Sequence, residues 1–588
     1  MKQKIIILLL TFILFFPFII NAKEIERGWG ISWGGDGTET ISDFKVTSDD
    51  GLIVCGSTSS TMAGSENIEG NKIFLSKHDK NGKVEWQKFF SENEYTLFRS
   101  VDIIPDKGYL IRGTLMNDTR DAIIILFDFD GNIVWTKEFK KNDTDIFINM
   151  LQIDDESFFV VGTTESTDIE GSEFKGKVDV LLIKYDFDGN IIYKKTWGTK
   201  DYDEITESYI NNKNELIICG TSTDAEGYKV YGADAFILKY DFDGNLIQEK
   251  LFGGDGRDTA TGVIPISDDS LLMILSSNSS SIGDLNLGNN KDFHDLLVKF
   301  DENLDLLWVK DIGLSQNTRI SDYVFTEDNE LVILMNVNGV DFNNIKNKGK
   351  ADSVIIKYDE NFDLVFQKGY GGNGDDILES LHILDNKQII TIGYTTSTDL
   401  ELESHGGMDG LIVYFDKNGD VVSQQSYGGS DADAFYYITT NINNLYMYGL
   451  TKSEDIEGVT FNGGKQDVLL AKYSLKHNLE DLSTENGTSV SVQKGNFGYV
   501  TPMPDKGYEV DEIIIEDISG NEIKTKKLED GTYSFPIYDD VTVEVLFKEK
   551  LINPKTGLFN YIGLLLSMLI CSFLAFWFIM KKDNKYEL

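Results

Sequence analysis

Residues Asp234–Asn245 read DAFILKYDFDGN, an apolar, β-prone run that ends in two carboxylates, a glycine and an amide. Such a tail can begin a short calcium loop, and it can equally turn the chain between two strands. Related stretches stand at 121–132 (DAIIILFDFDGN), 179–190 (DVLLIKYDFDGN), 352–363 (DSVIIKYDENFD) and 409–420 (DGLIVYFDKNGD), so the choice concerns a repeat and not one site.

Aligned on the aspartate that closes the apolar run, the copies fall at Asp79, Asp128, Asp186, Asp241, Asp301, Asp359 and Asp416, with Ser474 in an eighth. Spacing of this size marks an array of supersecondary units. Within a unit, four short runs are each bounded by Gly, Asp or Asn, as in Thr259 to Ile266, Leu271 to Leu275, Asp295 to Phe300 and Leu304 to Lys310. No stretch carries a helical period, so the array is all-β with four strands per unit, the plan of a β-propeller blade.

Labelling the runs a to d gives eight a-b-c sets but only seven d strands behind them. The missing strand is at the front. Glu24 to Gly35, EIERGWGISWGG, matches the d run and its Gly-Gly exit in QEKLFGG (248–254) and VFQKGYGG (365–372). The expectation is an eight-bladed β-propeller over residues 23–475, or seven-bladed if the short second copy forms no blade, with the N-terminal strand closing the last blade and removing both free edges.

The turn reading of DFDGN rests on copies such as Asp79-Lys-Asn-Gly82 and Asp301-Glu-Asn-Leu304, where the ligand pattern is lost. Asp128, Asp130, Asp186, Asp188, Asp241 and Asp243 are the calcium candidates on the other reading, although no acid closes an EF-hand-length loop there. A second recurrent acid follows the Gly-Gly step: Glu39, Asp145, Asp203, Asp258, Asp376 and Asp433, replaced by Thr96 and Thr318 in two copies. It can form a cation-holding ring around a channel, or cap backbone N–H groups of the neighbouring blade. The b–c connections are long and polar, for example TESTDIEG (164–171) and TKSEDIEG (451–458), and recur at one position of the repeat. Loops on one face of a rigid scaffold are where binding is to be sought, unless these only solvate the rim.

The pattern DAFILKYDFDGNLIQEKLFGG followed by Asp258, and the step GYTTSTD (393–399), resemble the SBBP-type bacterial β-propeller repeat over residues ~24–475. That resemblance implies a propeller on a secreted or surface protein and assigns no chemistry. After Tyr473 the period stops. Residues 482–549, with GYVTPMPDKGY (498–508) and the alternating strand toward Phe547, resemble a divergent internalin-type B repeat, a small β domain whose implied role is that of a spacer.

The ends place the chain. Residues 1–22 carry Lys2 and Lys4, an apolar run and Ala22, the form of a secretory signal peptide. Residues 558–580 are apolar enough for a transmembrane helix, and the basic tail 581–588 would stay cytoplasmic. The pentapeptide Asn553, Pro554, Lys555, Thr556, Gly557 precedes that span, and the order resembles the LPxTG sorting signal of Gram-positive surface proteins. In that resemblance Pro554, Thr556 and Gly557 match the motif, Lys555 fills its variable place, and Asn553 stands where the leucine usually is. By the same resemblance a sortase cuts after Thr556 and joins it to peptidoglycan. Retention in the membrane is the simpler alternative.

A net charge of -43 leaves no basic surface for nucleic acid. The five histidines are scattered, Cys55 and Cys219 occupy equivalent apolar places, and no nucleophile elbow or P-loop occurs, so no catalytic residue and no cofactor is assigned. The expected function is a wall-attached propeller that binds an extracellular glycan or protein. The alternatives are an extracellular glycan hydrolase and a structural surface element without a ligand.

Overall fold

The computed structural model describes residues 25–550 apart from short internal stretches, the longest being 224–231. The signal-peptide expectation at residues 1–22 and the transmembrane expectation at 558–580 lie outside the described residues, as does Thr96. So do all five residues of the expected sorting motif, Asn553, Pro554, Lys555, Thr556 and Gly557. The chain divides into two compact units, with the second beginning at His477. Among the described residues the secondary structure is strand and turn throughout.

Among the described residues the first unit holds eight four-stranded antiparallel sheets. Seven are built from consecutive stretches of the chain, as in the fourth: Tyr202–Ile210 (a), Leu216–Thr223 (b), Asp234–Tyr240 (c) and Leu246–Phe252 (d). The eighth combines Asp433–Asn441, Asn444–Thr451 and Asp467–Leu475 with Ile25–Trp33 from the opposite end of the unit, paired from Ile25↔Leu475 to Trp33↔Val468. Strands b and c are buried almost throughout, and strand d is half exposed. This burial explains why b and c read as unbroken apolar runs, each lying between two other strands and beneath neighbouring sheets.

Each sheet packs on the next in chain order, and the last meets the first. At that closing contact Trp33, Phe44, Phe74, Tyr446 and Leu470 share one core cluster. Tyr446 donates its hydroxyl to the carbonyl of Asp50 at 3.1 Å, and Phe44 stands edge-on to Tyr437 and Tyr448. This is a β-propeller-like arrangement.

The turn that ends strand c does two jobs. In DFDGN the first aspartate caps the turn: Asp128 accepts from the N–H of Asp130 at 3.0 Å and of Asn132 at 2.8 Å, and its second oxygen accepts from the Asn132 amide. Asp241 and Asp186 do likewise, and so do Asp79, Asp301, Asp359 and Asp416 in copies lacking the second carboxylate. The turn is also a grip between sheets. Trp86 of the first sheet donates its indole N–H to the carbonyl of Phe129, and Trp135 of the second does so to Phe187 in the third. Gly131 has φ +75°, and the Trp86 ring lies where its Cβ would stand, so glycine is required there for both conformation and space.

Every a–b pair carries a β-bulge near the middle of strand a, as between Ile41 and Asp43 or Ile205 and Glu207. The residue after the bulge reaches the next sheet. Asp43 accepts from the N–H of Val101, Glu207 from that of Val263 and Asp322 from that of Leu381, at 2.9–3.1 Å. In the fifth sheet this place is Gly262, and Tyr323 passes over it to donate to Glu207 at 2.8 Å.

The second unit has a four-stranded and a three-stranded sheet around Val500, Ile515, Phe535, Val543 and Val545. Its last strand, Val541–Glu549, alternates buried and half-exposed residues, as one covered face requires. A short strand, Leu479–Asp481, pairs parallel to it and starts the unit slightly earlier than the sequence period suggests.

Candidate functional site

The junction between one sheet and the next is built by a recurring pair of acids. A single parallel bridge joins a residue at or just before the start of strand c to one at or just before the start of the following strand a: Ala233↔Arg257, Val178↔Tyr202, Ala351↔Asp375, Met408↔Ala432 and Thr38↔Gln466. The next residues are therefore neighbours, and they are Asp234 with Asp258, Asp179 with Asp203, Asp352 with Asp376, Asp409 with Asp433, and Asp467 with Glu39. Asp121 and Asp145 make the sixth pair, with the Asp145 N–H on the carbonyl of Arg120.

Apart from Asp234, which is half-buried, these carboxylates are nearly or wholly out of solvent. They are held by N–H and O–H donors, as buried anions must be. Asp376 accepts from the N–H of Gly372 at 2.7 Å and from the hydroxyls of Thr395 and Ser397, both at 2.5 Å. Asp258 accepts from Gly254 N–H and from Ser277 and Ser279. The recurrent acid after the Gly-Gly step is thus a cap for the connection leaving the preceding sheet. The glycine of that step lies against both members of a pair: a Cβ on Gly428 would stand 2.7 Å from Asp409 Oδ1 and 2.8 Å from Asp433 Oδ2.

Two negative groups so placed disfavour each other's ionisation. Burial, with the charge of Asp121 adding, pushes the Asp145 carboxyl up to about 6. Burial raises Glu39, Asp179, Asp258, Asp352 and Asp433 in the same direction. Asp352 and Asp409 each keep one buried oxygen with no hydrogen-bond donor.

Two junctions break this pattern: the first-to-second, where strand c opens on Lys72 instead of an acid, and the fifth-to-sixth. Asp295 has no acid opposite it, because Thr318 takes the place, and the serine or threonine pair of strand b is replaced by Val337 and Gly339. Acid and hydroxyls are lost together, since each exists to satisfy the other. The Gly-Gly step is lost too, being Gly313-Leu314 here. In place of the closed junction there is a cavity of about 560 Å3. Its walls include Asp292 and Phe293 from the end of the b–c connection, Asp295 from the start of strand c, Thr318 and Arg319 from the start of strand a, and Tyr323 beyond the bulge. The volume lies within the range of small-molecule sites. Burial, opposed by the Ser276 hydroxyl, takes the Asp295 carboxyl up to about 6.

The calcium candidates Asp128, Asp130, Asp186, Asp188, Asp241 and Asp243 are not brought together. They sit in separate turns, and the leading aspartate of each has both oxygens engaged by its own turn. Among the described residues no group of three or more His, Cys, Asp or Glu is arranged to hold a metal. Cys55 and Cys219 are fully buried, and burial raises both thiols. The sequence reading missed the cavity, although its signal, the simultaneous loss of the acid and of Gly-Gly, was visible at Thr318. It missed the bulges as well, since that position changes residue type from sheet to sheet.

No family model matches the chain, and no curated protein matches it. Among solved structures it is similar to Sqt1 from Chaetomium thermophilum, at 8% identity and a TM-score of 0.43 over 77% of this chain and 100% of that one. The Pan2 WD40 domain of Neurospora crassa aligns at 9% identity and a TM-score of 0.33 over 77% and 97% of the two chains. A puromycin hydrolase aligns at 10% identity and a TM-score of 0.39 over 73% of this chain and 62% of its own.

Proposed function

We propose that this chain is an extracellular binding protein: an eight-bladed propeller of SBBP type, carried on an internalin-repeat-like spacer and attached to the cell wall through Asn553–Gly557. Its ligand is an extracellular glycan or protein, taken on the face formed by the b–c connections and the d–a turns. The observation that carries the reading is the cavity at the fifth-to-sixth junction, where the repeat gives up its closing acid, hydroxyls and glycines together. Six of the eight junctions keep the paired acids; of the two that lack them, the first-to-second has Lys72 in place of the strand-c acid, its ammonium donating to the carbonyl of Ser60, whereas the fifth-to-sixth keeps Asp295 and opens on a polar and aromatic pocket, which has the form of a binding site.

The test is a glycan and surface-protein array probed with the full-length chain, with and without EDTA. Capture that is lost on substituting residues of this cavity supports the reading, and capture unaffected by them refutes it. Loss of capture in EDTA alone would return calcium to the turns as the relevant ligand.

Hydrolysis is a second reading, favoured by Asp295 and Asp322 standing on the same cavity wall, both with carboxyls raised chiefly by burial. Two carboxyls in a cleft are the equipment of glycosidases. Asp322, however, already accepts from Ser380 and from the Leu381 N–H, which is the work of a tether between sheets. Release of reducing ends from a captured glycan, abolished by D295N, would decide for the enzyme.

A further inference from the structure

A second cavity, of about 400 Å3, opens on the other face of the ring. The starts of the strands a carry the junction acids, on the side of the b–c connections, so the ends of those strands reach the opposite side. The eighth, first, second and third sheets meet there, and the later half of strand a supplies Thr439, Lys45, Asp102 and Met150 in turn. Val46, Ile103 and Phe158 make the walls largely apolar.

Two opposite charges line this cavity without pairing. Lys45 and Asp102 attract each other but form no ion pair, and Asp102 accepts no hydrogen bond from any described residue. Burial takes the Asp102 carboxyl up to about 6, with Lys45 opposing the rise. Burial alone would lower Lys45, yet Asp43 and Asp102 hold its ammonium above the ordinary value. The contact from Lys45 to Asp43 is long, at 3.4 Å. Asp43 does not depend on it, since it accepts from the N–H of Phe44 at 2.8 Å and of Val101 at 3.1 Å. A half-buried carboxylate without a donor and an ammonium with donors to spare are both short of partners. The neighbouring polar groups are occupied: Thr440 bonds His382 at 3.2 Å, and the Gln152 amide donates to the carbonyl of Asp154 at 3.1 Å.

These walls select a ligand by elimination. A metal cation would suit Asp102 but meet the charge of Lys45, and a simple anion would meet that of Asp102. A neutral sugar would find apolar walls and leave both charges unanswered. A molecule with an ammonium at one end, a carboxylate at the other and an apolar body between them answers all three features. A single amino acid leaves much of the volume empty.

We propose that this cavity binds a short apolar peptide with both termini free, its α-ammonium against Asp102, its carboxylate on Lys45 and its side chains on Val46, Met150 and Phe158. The two polar contacts are charge-assisted hydrogen bonds in a partly dehydrated site, and the covered apolar walls add a hydrophobic contribution. The site lies on the face opposite the fifth-to-sixth cavity and is independent of the reading given to that face.

The experiment is calorimetric titration of the full-length chain, at ~0.15 M salt so that long-range attraction is screened. The probes are the dipeptide leucyl-leucine, its N-acetyl derivative and its C-terminal amide. The expected result is saturable binding of the free dipeptide and a tenfold or greater loss for each derivative. D102N and K45M keep side-chain size, and melting curves that match the parent's show the ring intact. In D102N the free and acetylated dipeptides should bind equally weakly, and in K45M the free dipeptide and its amide should do so. Each blocked terminus is thereby matched to one residue, which a general loss of structure would not reproduce. D243N, at an exposed turn acid of the fourth sheet, is expected to leave affinity unchanged.

Equal affinity of the parent for the free and acetylated dipeptides overturns the proposal, and so does equal affinity for the amide. A loss in D243N as large as that in D102N reduces the effect to general attraction and overturns it. So does the absence of binding by the free dipeptide at millimolar concentration.

Discussion

The paired junction acids make a stability profile of unusual sign. A carboxyl whose folded-state pKa lies above its unfolded value binds its proton more tightly in the folded chain, so it adds stability as pH falls toward the unfolded value and withdraws it as pH rises through the folded one. Asp145, raised by burial and by Asp121 to about 6 from an ordinary 3.8, supplies the magnitude. Two units at ~1.4 kcal/mol each give about 3 kcal/mol as an upper value for this one group between pH ~4 and ~7. For a unit of about 450 residues, unfolding entropy of ~2 cal/mol/K per residue turns that into a Tm change of ~3 °C. Glu39, Asp179, Asp258, Asp352 and Asp433 shift in the same direction and add to it. The turn aspartates Asp79, Asp128, Asp186 and Asp241 are lowered, chiefly by hydrogen bonds that outweigh any desolvation, and oppose the trend only below pH ~4. Burial lowers His78 and His382 to about 4, so their share of stability grows from pH ~4 to ~6.5, and calorimetric melting from pH 4 to 8 should carry the ~3 °C decline from Asp145 beneath that rise. D145N, which cannot titrate, should flatten its share of that decline. A Tm difference between the parent and D145N that stays constant from pH 4.5 to 7.5 would refute the paired-acid account.

Gly262→Ala places a Cβ 2.4 Å from the Tyr323 hydroxyl, so a loss of about 1–3 kcal/mol is expected in chemical denaturation, partly relieved in the double variant with Y323A. Leu304 stands at the turn's glycine position with φ 57°, yet it is fully buried. Leu304→Gly removes strain of ~1 kcal/mol but forfeits burial of about 2–4, so it should lower stability despite the backbone relief. Deleting residues 23–33 should yield an aggregating or partly unfolded chain by size exclusion, whereas a permutant that begins at the first a strand and carries Glu24–Gly35 behind Leu475 on a flexible linker should recover the parent melting curve. Cys55 and Cys219 should resist a soluble maleimide until the unit unfolds, which mass spectrometry of labelled protein reads directly.

How far the sequence reveals this arrangement depends on the range of the interaction concerned. Strand c and its turn are legible because their chemistry is local: DAFILKY buries two faces, and Asp241 caps donors two and four residues on. The closing role of Ile25–Trp33 is legible because counting strands leaves one over. The partner of Asp258 is not legible, since Asp234 stands 24 residues earlier and meets it only through the bridge Ala233↔Arg257. Spacing assigns these acids equally well to a ring about a channel. The cavity was half legible: Thr318 stands out as a departure, but that its loss opens a space depends on Val337 and Gly339 across the ladder.

The clasp formed by Ile25–Trp33 also decides how the ring answers tension. If the chain beyond Leu475 is pulled, the force enters at the end of Asp467–Leu475, a strand flanked by Asn444–Thr451 on one side and Ile25–Trp33 on the other. It cannot peel away one bond at a time; two ladders must slide together. A wheel fastened in this way should yield under load abruptly and at high force, with its other sheets still folded until that strand slips.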